Sequence, residues 1–169
     1  MTKSNTDRVF ALSPKKGILF PSLQAHSLAR TPVQLPDDAR GHIALILLAF
    51  QRQAQEMVDS WLHPFTKKFG DTPGFTFYEI PMIKGKWWRL FSSSIDGGMR
   101  MGIPEKKHEH VVTYYGNISQ YLSALQIQDL SLAYAFLLDK QGYIIWQGEG
   151  FATPQHINTM LHLAKHLSL

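Results

Sequence analysis

The alternation of apolar and polar positions divides the chain into strands and helices. Residues 42–50 are almost continuously apolar, which is typical of a strand covered on both faces. Apolar residues from Ala54 to Phe69 recur at steps of three and four, which predicts an amphipathic helix that contains Pro64. Residues 75–80 are rich in aromatic side chains and predict a second strand, and Pro81 predicts a loop after it.

The second half of the chain continues this alternation. A second helix is expected to begin near Lys86, and residues 111–115 predict a third strand that a short helix follows. Residues 133–138 and 143–147 flank an Asp-Lys-Gln-Gly turn and therefore predict an antiparallel hairpin. A last helix is expected to begin at Thr153 and Pro154. Its predicted inward side consists of Ile157, Met160, Leu161, Ala164 and Leu167.

This order of elements predicts an α/β protein with a thioredoxin-like (peroxiredoxin-like) three-layer fold, in which helices cover both faces of a central mixed sheet. In this fold the first strands are parallel, and an antiparallel hairpin and a helix follow. A chain of 169 residues is long enough for one well-packed domain. We expect that domain over residues 21–169, with short extended pieces over 23–35 at a margin of the sheet and a flexible basic N-terminal arm over 1–20.

The composition excludes several kinds of chemistry. The chain has no cysteine, so it lacks disulfides, thiolate nucleophiles and dithiol redox centres. Its formal net charge of +4 suits an acidic partner or a membrane surface, although many proteins are as basic. No apolar run approaches the roughly 20 residues that a membrane span requires.

A thioredoxin-like redox site would lie where the first central strand meets the next helix. Residues 50–55, Phe-Gln-Arg-Gln-Ala-Gln, occupy that position and supply no thiolate. The helix start is instead a candidate anion site formed by Gln51 and Arg52, and a solvated polar turn is the alternative. The proline that usually precedes the hairpin of such folds is also missing from residues 129–133. We therefore predict no catalytic residues and no cofactor.

Two groups of histidines are weak candidates for metal binding. His108 and His110 lie two residues apart beside Glu105, but the neighbouring lysines oppose a cation. His162 and His166 lie four residues apart on the last helix, which more often indicates a polar helix face. Neither group has a third convergent ligand in the sequence, so we predict no metal site.

The stretch 75–104 holds more basic and aromatic residues than a core needs. Two adjacent tryptophans on a helix point about 100° apart, so one of them is expected near the surface among cations. That arrangement favours a contact with a protein partner or a membrane interface, and packing of both rings under loops is the alternative. No nucleic-acid partner is predicted. The predicted partner-binding residues are Lys84, Lys86, Trp88, Arg89, Asp96 and Arg100.

This same stretch carries a family resemblance. The Tyr-Glu-hydrophobic strand end, the basic-aromatic segment 84–89 and the Gly-Gly-Met-Arg segment, continued by residues 133–154, resemble the ATP synthase assembly-factor family called ATPase complex subunit ten. The resemblance is strongest over residues 77–154. It implies a thioredoxin-like fold in non-redox use, and mitochondrial members that assist assembly of the membrane sector of ATP synthase at the inner membrane.

The leading hypothesis is therefore a non-catalytic thioredoxin-like binding module, similar to an assembly factor or chaperone for that membrane sector. Its partner would be a protein, such as a membrane-embedded ATP synthase subunit, with peripheral contact to anionic membrane. The alternative is a cysteine-free peroxiredoxin-like enzyme or small-ligand-binding protein with a pocket near residues 51–55 and Tyr114. The N-terminus is a poor transit peptide, so we expect a cytoplasmic or membrane-associated prokaryotic protein; the alternative is the matrix side of the mitochondrial inner membrane.

Overall fold

A computed structural model describes residues 17–84, 97–99 and 101–169 of the chain. Within them a central sheet of seven strands is covered by α-helices on both faces. The helices with described bounds are α1 (Gln55–Phe69), α2 (Ser119–Ala124) and α3 (Pro154–Leu167), and residues 97–99 and 101–102 are also helical. The strands are β1 (Leu23–Ser27), β2 (Pro32–Leu35), β3 (Ile43–Ala49), β4 (Phe75–Lys84), β5 (Val112–Gly116), β6 (Tyr134–Leu138) and β7 (Ile144–Glu149).

The sheet is mixed, with the strand order β2-β1-β5-β4-β3-β6-β7. Strands β3, β4 and β5 are parallel, while β6 and β7 continue the sheet as an antiparallel hairpin beside β3. On the other side, β1 and β2 form a second hairpin that pairs with β5. The prediction of a thioredoxin-like α/β fold with parallel central strands and a closing hairpin is confirmed.

Both faces of β3 are buried, as its continuous apolar sequence predicts. Ile43, Leu45 and Leu47 face α1 and α3, and the residues between them face the opposite layer, where Tyr121 of α2 packs. This arrangement gives the protein two hydrophobic cores that share one sheet. Thr153 caps α3 as predicted, since its side chain accepts a hydrogen bond from the backbone N–H of His156.

The edge strand β7 is partly covered by the start of the described chain. Of the predicted N-terminal arm, residues 17–20 belong to the described part, and they lie along β7. The backbone N–H of Ile144 donates to the carbonyl of Ile18 at 2.8 Å, and Phe20 is buried in the core. A Cβ at Gly17 would approach the Ile144 carbonyl oxygen to 2.0 Å, so only glycine allows the backbone to come this close.

Two details of the prediction are wrong. The predicted loop after Pro81 is strand, because β4 continues to Lys84 and pairs there with β5. The helix predicted from Ala54 to Phe69 is present as α1 from Gln55 to Phe69, and a 3₁₀ turn over Arg52–Ala54 precedes it. Leu167, predicted to face inward, is exposed near the end of α3. Pro64 lies inside α1, which continues for another turn beyond it.

Candidate functional site

The carboxyl ends of β3, β4 and β5 lie together at one edge of the sheet, because these strands are parallel. Binding sites of open α/β sheets form outside such ends. In this chain the edge is built from residues 50–52 after β3, Lys84 at the end of β4, and Gly116 and Asn117 at the end of β5. The antiparallel β6 begins at the same edge with Tyr134, opposite Leu48.

The position of a thioredoxin-like redox centre is occupied by Phe50, Gln51 and Arg52. The ring of Phe50 packs edge-on against Tyr134, with 6.3 Å between the ring centroids. Gln51 has an extended backbone and precedes the 3₁₀ turn without a side-chain cap, and both Gln51 and Arg52 are exposed. The two residues predicted as an anion site are thus neighbours at a helix start, open to solvent. Their binding of an anion stays a prediction.

The start of β6 is tied to the preceding loop by hydrogen bonds. The Tyr134 hydroxyl donates to the Asp129 carbonyl at 2.8 Å and accepts from the Asp129 backbone N–H at 3.2 Å. The Asp129 carboxylate accepts from both the backbone N–H and the hydroxyl of Ser131, at 2.9 and 2.6 Å. These bonds hold the Asp129 pKa below its ordinary value, while burial raises the pKa of Tyr134.

One buried carboxyl group lies on the α1 side of this edge, and sequence reasoning missed it. Glu79 in β4 is only 8% exposed, and its carboxylate accepts a hydrogen bond from the Gln55 side chain at 3.3 Å. The same Gln55 amide group donates to Asp59 at 3.1 Å, so it joins two carboxylates across α1 and β4. Burial raises the pKa of Glu79 above its ordinary value, although Gln55 and Lys107 oppose the shift.

Lys84 is the one predicted partner-binding residue within the described part of the chain. It is exposed at the end of β4, opposite Gly116 of β5. The chain contacts the sheet again at Met99, whose sulfur accepts a hydrogen bond from the Thr113 hydroxyl of β5 at 3.7 Å. Lys84 thus lies at the carboxyl end of β5, and Met99 contacts β5 near its amino end. Lys86, Trp88, Arg89, Asp96 and Arg100 lie outside the described residues.

The histidines considered for metal binding are engaged in other contacts or are exposed. A ring nitrogen of His108 lies 2.8 Å from the Ile103 carbonyl, and one of His110 lies 2.9 Å from the Phe77 carbonyl. The rings of His162 and His166 stack at 6.4 Å on the exposed side of α3. Within the described ranges, no group of three or more acidic or histidine side chains is placed to hold a metal ion.

Tyr114, predicted to line a pocket in the alternative hypothesis, packs edge-on against Tyr121 with 5.0 Å between the ring centroids. Its hydroxyl donates to the Asn117 carbonyl, and the Tyr121 hydroxyl donates to the Ser22 carbonyl at 3.1 Å. Burial, followed by the neighbouring Tyr114, raises the pKa of Tyr121 to about 12. The Tyr114 hydroxyl therefore ties the loop after β5 to that strand, and the Tyr121 hydroxyl ties the segment before β1 to α2.

Sequence comparison assigns the family. The family model described as ATP10 protein matches residues 8–167, which is nearly the whole chain. The chain belongs to the ATP10 protein family. This membership confirms the resemblance drawn from residues 77–154. No curated protein matches the chain in sequence. Among the residues described, no helix is both long enough and apolar enough to cross a membrane.

Several solved structures with the same fold are thiol-disulfide proteins. A secreted thiol-disulfide isomerase from Corynebacterium glutamicum is similar over 99% of this chain and 95% of its own, with 15% identity and a TM-score of 0.66. A DsbF homologue from Corynebacterium diphtheriae is similar over 96% and 97%, with 15% identity and a TM-score of 0.62. The thioredoxin domain of a thiol-disulfide oxidoreductase from Bacteroides vulgatus has 17% identity and a TM-score of 0.59 over 90% and 99%. At these identities the likeness shows the fold alone.

Proposed function

We propose that this ATP10-family chain is a non-catalytic binding module that assists assembly of the membrane sector of ATP synthase. The observation that carries the proposal is the replaced redox position within the family fold. Gln51 and Arg52 stand where a thioredoxin-like enzyme holds its thiolate, and the sequence has no cysteine elsewhere. The chain therefore lacks the nucleophile and the electron-pair donor of thiol-disulfide exchange.

The docking surface of this proposal lies at the carboxyl ends of the parallel strands. Lys84 is exposed at that edge, and Arg52 is exposed beside it after β3. The sequence between Lys84 and Met99 adds the Lys-Trp-Trp-Arg segment. Tryptophan and arginine are the residues that most often dominate the binding energy of protein interfaces. We propose Lys84, Lys86, Trp88, Arg89, Asp96 and Arg100 as the partner-contacting residues.

A genetic experiment tests the assembly role. Deletion of the gene in its own host should lower the amount of intact ATP synthase on a native gel, and the membrane-sector subunits should be affected before the soluble sector. Expression of the wild-type chain should restore the complex. An unchanged amount of intact ATP synthase in the deletion strain would refute the assembly role.

A binding experiment tests the docking surface. Affinity capture from detergent-solubilised membranes should recover an ATP synthase subunit with the wild-type chain and lose it with the double variant Trp88→Ala/Arg89→Ala. Lys165→Ala, an exposed cation on α3, is the matched control and should keep the partner. Circular dichroism of each variant checks that the fold is retained. Equal capture by the double variant would rule out this surface.

The proposal includes a peripheral contact with anionic membrane. Lys84 at the end of β4 and Lys106 on the loop before β5 are exposed, within a chain of net charge +4. Lysines near an anionic surface attract it at low ionic strength, by roughly 1 kcal/mol each. Vesicles with anionic lipid should therefore carry the protein upward in a flotation gradient at low salt and release it at high salt. Flotation that is equal with neutral vesicles would exclude an electrostatic contact.

A further inference from the structure

A small cavity opens beside the start of β6, on the sheet face that α2 covers. Its volume is about 90 Å³. Leu125, Tyr134 and Phe136 provide its buried apolar walls, and each is at most 6% exposed. Polar residues line the rest: Gln126, Gln128, Gln147 and Glu149, with the backbone of Gly148 between the last two.

Pairing between β6 and β7 places the polar and aromatic residues opposite each other. Gln147 pairs with Phe136, and Glu149 pairs with Tyr134, so each polar side chain projects from the same face as its aromatic neighbour. Gln126 and Gln128 approach from the loop that follows α2. The cavity therefore has aromatic walls and a polar rim supplied by two separate parts of the chain.

The polar side chains of the rim are not used by the fold. Within the described part of the protein, the side chains of Gln126, Gln128, Gln147 and Glu149 make no hydrogen bond to another residue. Glu149 also forms no ion pair there, since the described residues contain a single salt bridge, between Arg40 and Asp37. Three amide groups and one carboxylate are thus available to a ligand.

The backbone conformation of Gln126 also supports a role for its side chain at the cavity. Its φ is +55°, a left-handed conformation in which glycine is the usual residue at this position after a helix. The hydrogen bonds from Gln126 N–H to the Ser123 carbonyl and from Ile127 N–H to the Leu122 carbonyl complete the same type of helix ending. Glycine would adopt this backbone more easily but would remove an amide from the cavity rim.

We propose that this cavity binds a primary ammonium group. One carboxylate and three amide oxygens can accept hydrogen bonds, and an ammonium group has three donors and no acceptor. The ring of Tyr134 adds an aromatic wall of the kind that attracts organic cations. Glu149 and nearby Asp129 repel an anion, and a single carboxylate among the lining residues is too few for a calcium or magnesium site. The inference does not depend on the proposed assembly role.

The volume limits the ligand to an ammonium group with a few attached carbons. Such a group occurs in a free small amine and in the lysine side chain of a bound protein. We therefore use n-propylammonium as the probe for the free amine and N-acetyl-lysine amide as the probe for a lysine side chain. Sodium propionate and n-propanol match the size of the first probe but carry the opposite charge or none.

Nuclear magnetic resonance titration of the ¹⁵N-labelled full chain at constant ionic strength tests the proposal. Propylammonium should cause saturable shifts of the Gln126, Gln147 and Gly148 amide signals, with a dissociation constant of roughly 10 mM. Propionate and propanol should cause none. Tighter binding of the blocked lysine would identify a lysine side chain as the natural ligand, and tighter binding of propylammonium would identify a free amine. Both results support the site.

Glu149→Gln keeps the size and polarity of the side chain and removes its charge. It should weaken propylammonium binding roughly threefold to fivefold, because the carboxylate is exposed and partly screened. Glu109→Gln, an exposed carboxylate on the loop before β5, should leave the affinity unchanged. The proposal fails if propylammonium shows no saturation at these signals, if propionate binds equally well, or if Glu149→Gln binds as tightly as the wild type.

Discussion

The two faces of the β6–β7 hairpin are built in opposite ways. On the α1 side, Trp146 is fully buried and packs edge-on against Trp61, with 5.3 Å between the ring centroids. On the α2 side, the adjacent residues Gln147 and Glu149 leave a cavity with a polar rim. The same six-residue strand thus buries Trp146 in one layer and borders a cavity in the other. We call the α1 side the filled face and the α2 side, where Ile144 and Phe136 are buried beside the cavity, the open face.

Removal of the Trp61 side chain would have the largest effect on the filled face. Trp61 is fully buried, and its indole N–H donates to the Gly150 carbonyl at 2.8 Å. Trp61→Ala should lower the free energy of unfolding by about 4 kcal/mol, from lost burial and the cavity left behind. Chemical denaturation followed by circular dichroism measures the change. A loss below about 1 kcal/mol would mean that this face is not the main stabilising layer.

Gly148 tests how tightly the same face is packed. A Cβ at this position would lie 2.8 Å from ring atoms of both Trp61 and Trp146. Gly148→Ala should therefore destabilise the protein by about 1–3 kcal/mol, because the rings must move to admit a methyl group. Gly102→Ala is the control, since its added Cβ meets no atom within 4 Å. An equal effect of the two variants in denaturant would show that the tryptophans tolerate the methyl group.

Glu79 interrupts the apolar layer on the α1 side. Burial raises its pKa above the ordinary 4.5, so its favourable contribution to stability is complete at a pH below 4.5 and is lost as the pH rises through the folded-state pKa. Glu79→Gln keeps an acceptor for Gln55 and removes the buried charge. It should raise the free energy of unfolding by about 1 kcal/mol at pH 7 and change it little at pH 4.

Urea denaturation of Glu79→Gln at the two pH values measures this difference. Glu109→Gln is the matched control. The Glu109 carboxylate is exposed, so this substitution should change the free energy of unfolding little at either pH. A variant that is less stable than the wild type at pH 7 would contradict the argument. It would indicate that the ionised Glu79 is stabilised by Gln55, Lys107 and His63 more than burial destabilises it.

Sequence patterns predicted the filled face better than the open one. The apolar run of β3 and the three- and four-residue steps of α1 fix which residues are buried, since burial is what those patterns encode. The cavity was missed because its walls come from two distant segments, one of them held by the left-handed backbone of Gln126. Glu79 was missed as well, since a lone carboxylate in a strand does not reveal which helix covers it.

The family resemblance indicated the protein family without any knowledge of the geometry. It rested on residues 77–154, and the family match over 8–167 confirms it. The predicted length of β4 was too short, because proline usually ends strand pairing. In the structure Pro81 lies within β4, opposite Ala49 of β3. The zero cysteine count needed no structure to interpret. The order of the predicted elements also located the redox position at residues 50–55, and the structure shows Gln51 and Arg52 there, directly after β3.

The last prediction concerns the open face and has the smallest expected effect. Gln126→Gly should stabilise the protein by up to about 1 kcal/mol, because glycine adopts a φ of +55° without strain. It should also weaken propylammonium binding about twofold, since one amide of the rim is lost. Arg30→Gly is the matched control: Arg30 has a φ of +66° in the β1–β2 turn, away from the cavity. It should give a similar gain in stability in urea with no change in amine affinity. If Gln126→Gly stabilises the protein and leaves the affinity intact, the residue serves only to end α2, and the contrast between the two faces of the hairpin depends on Glu149 and Gln147 alone.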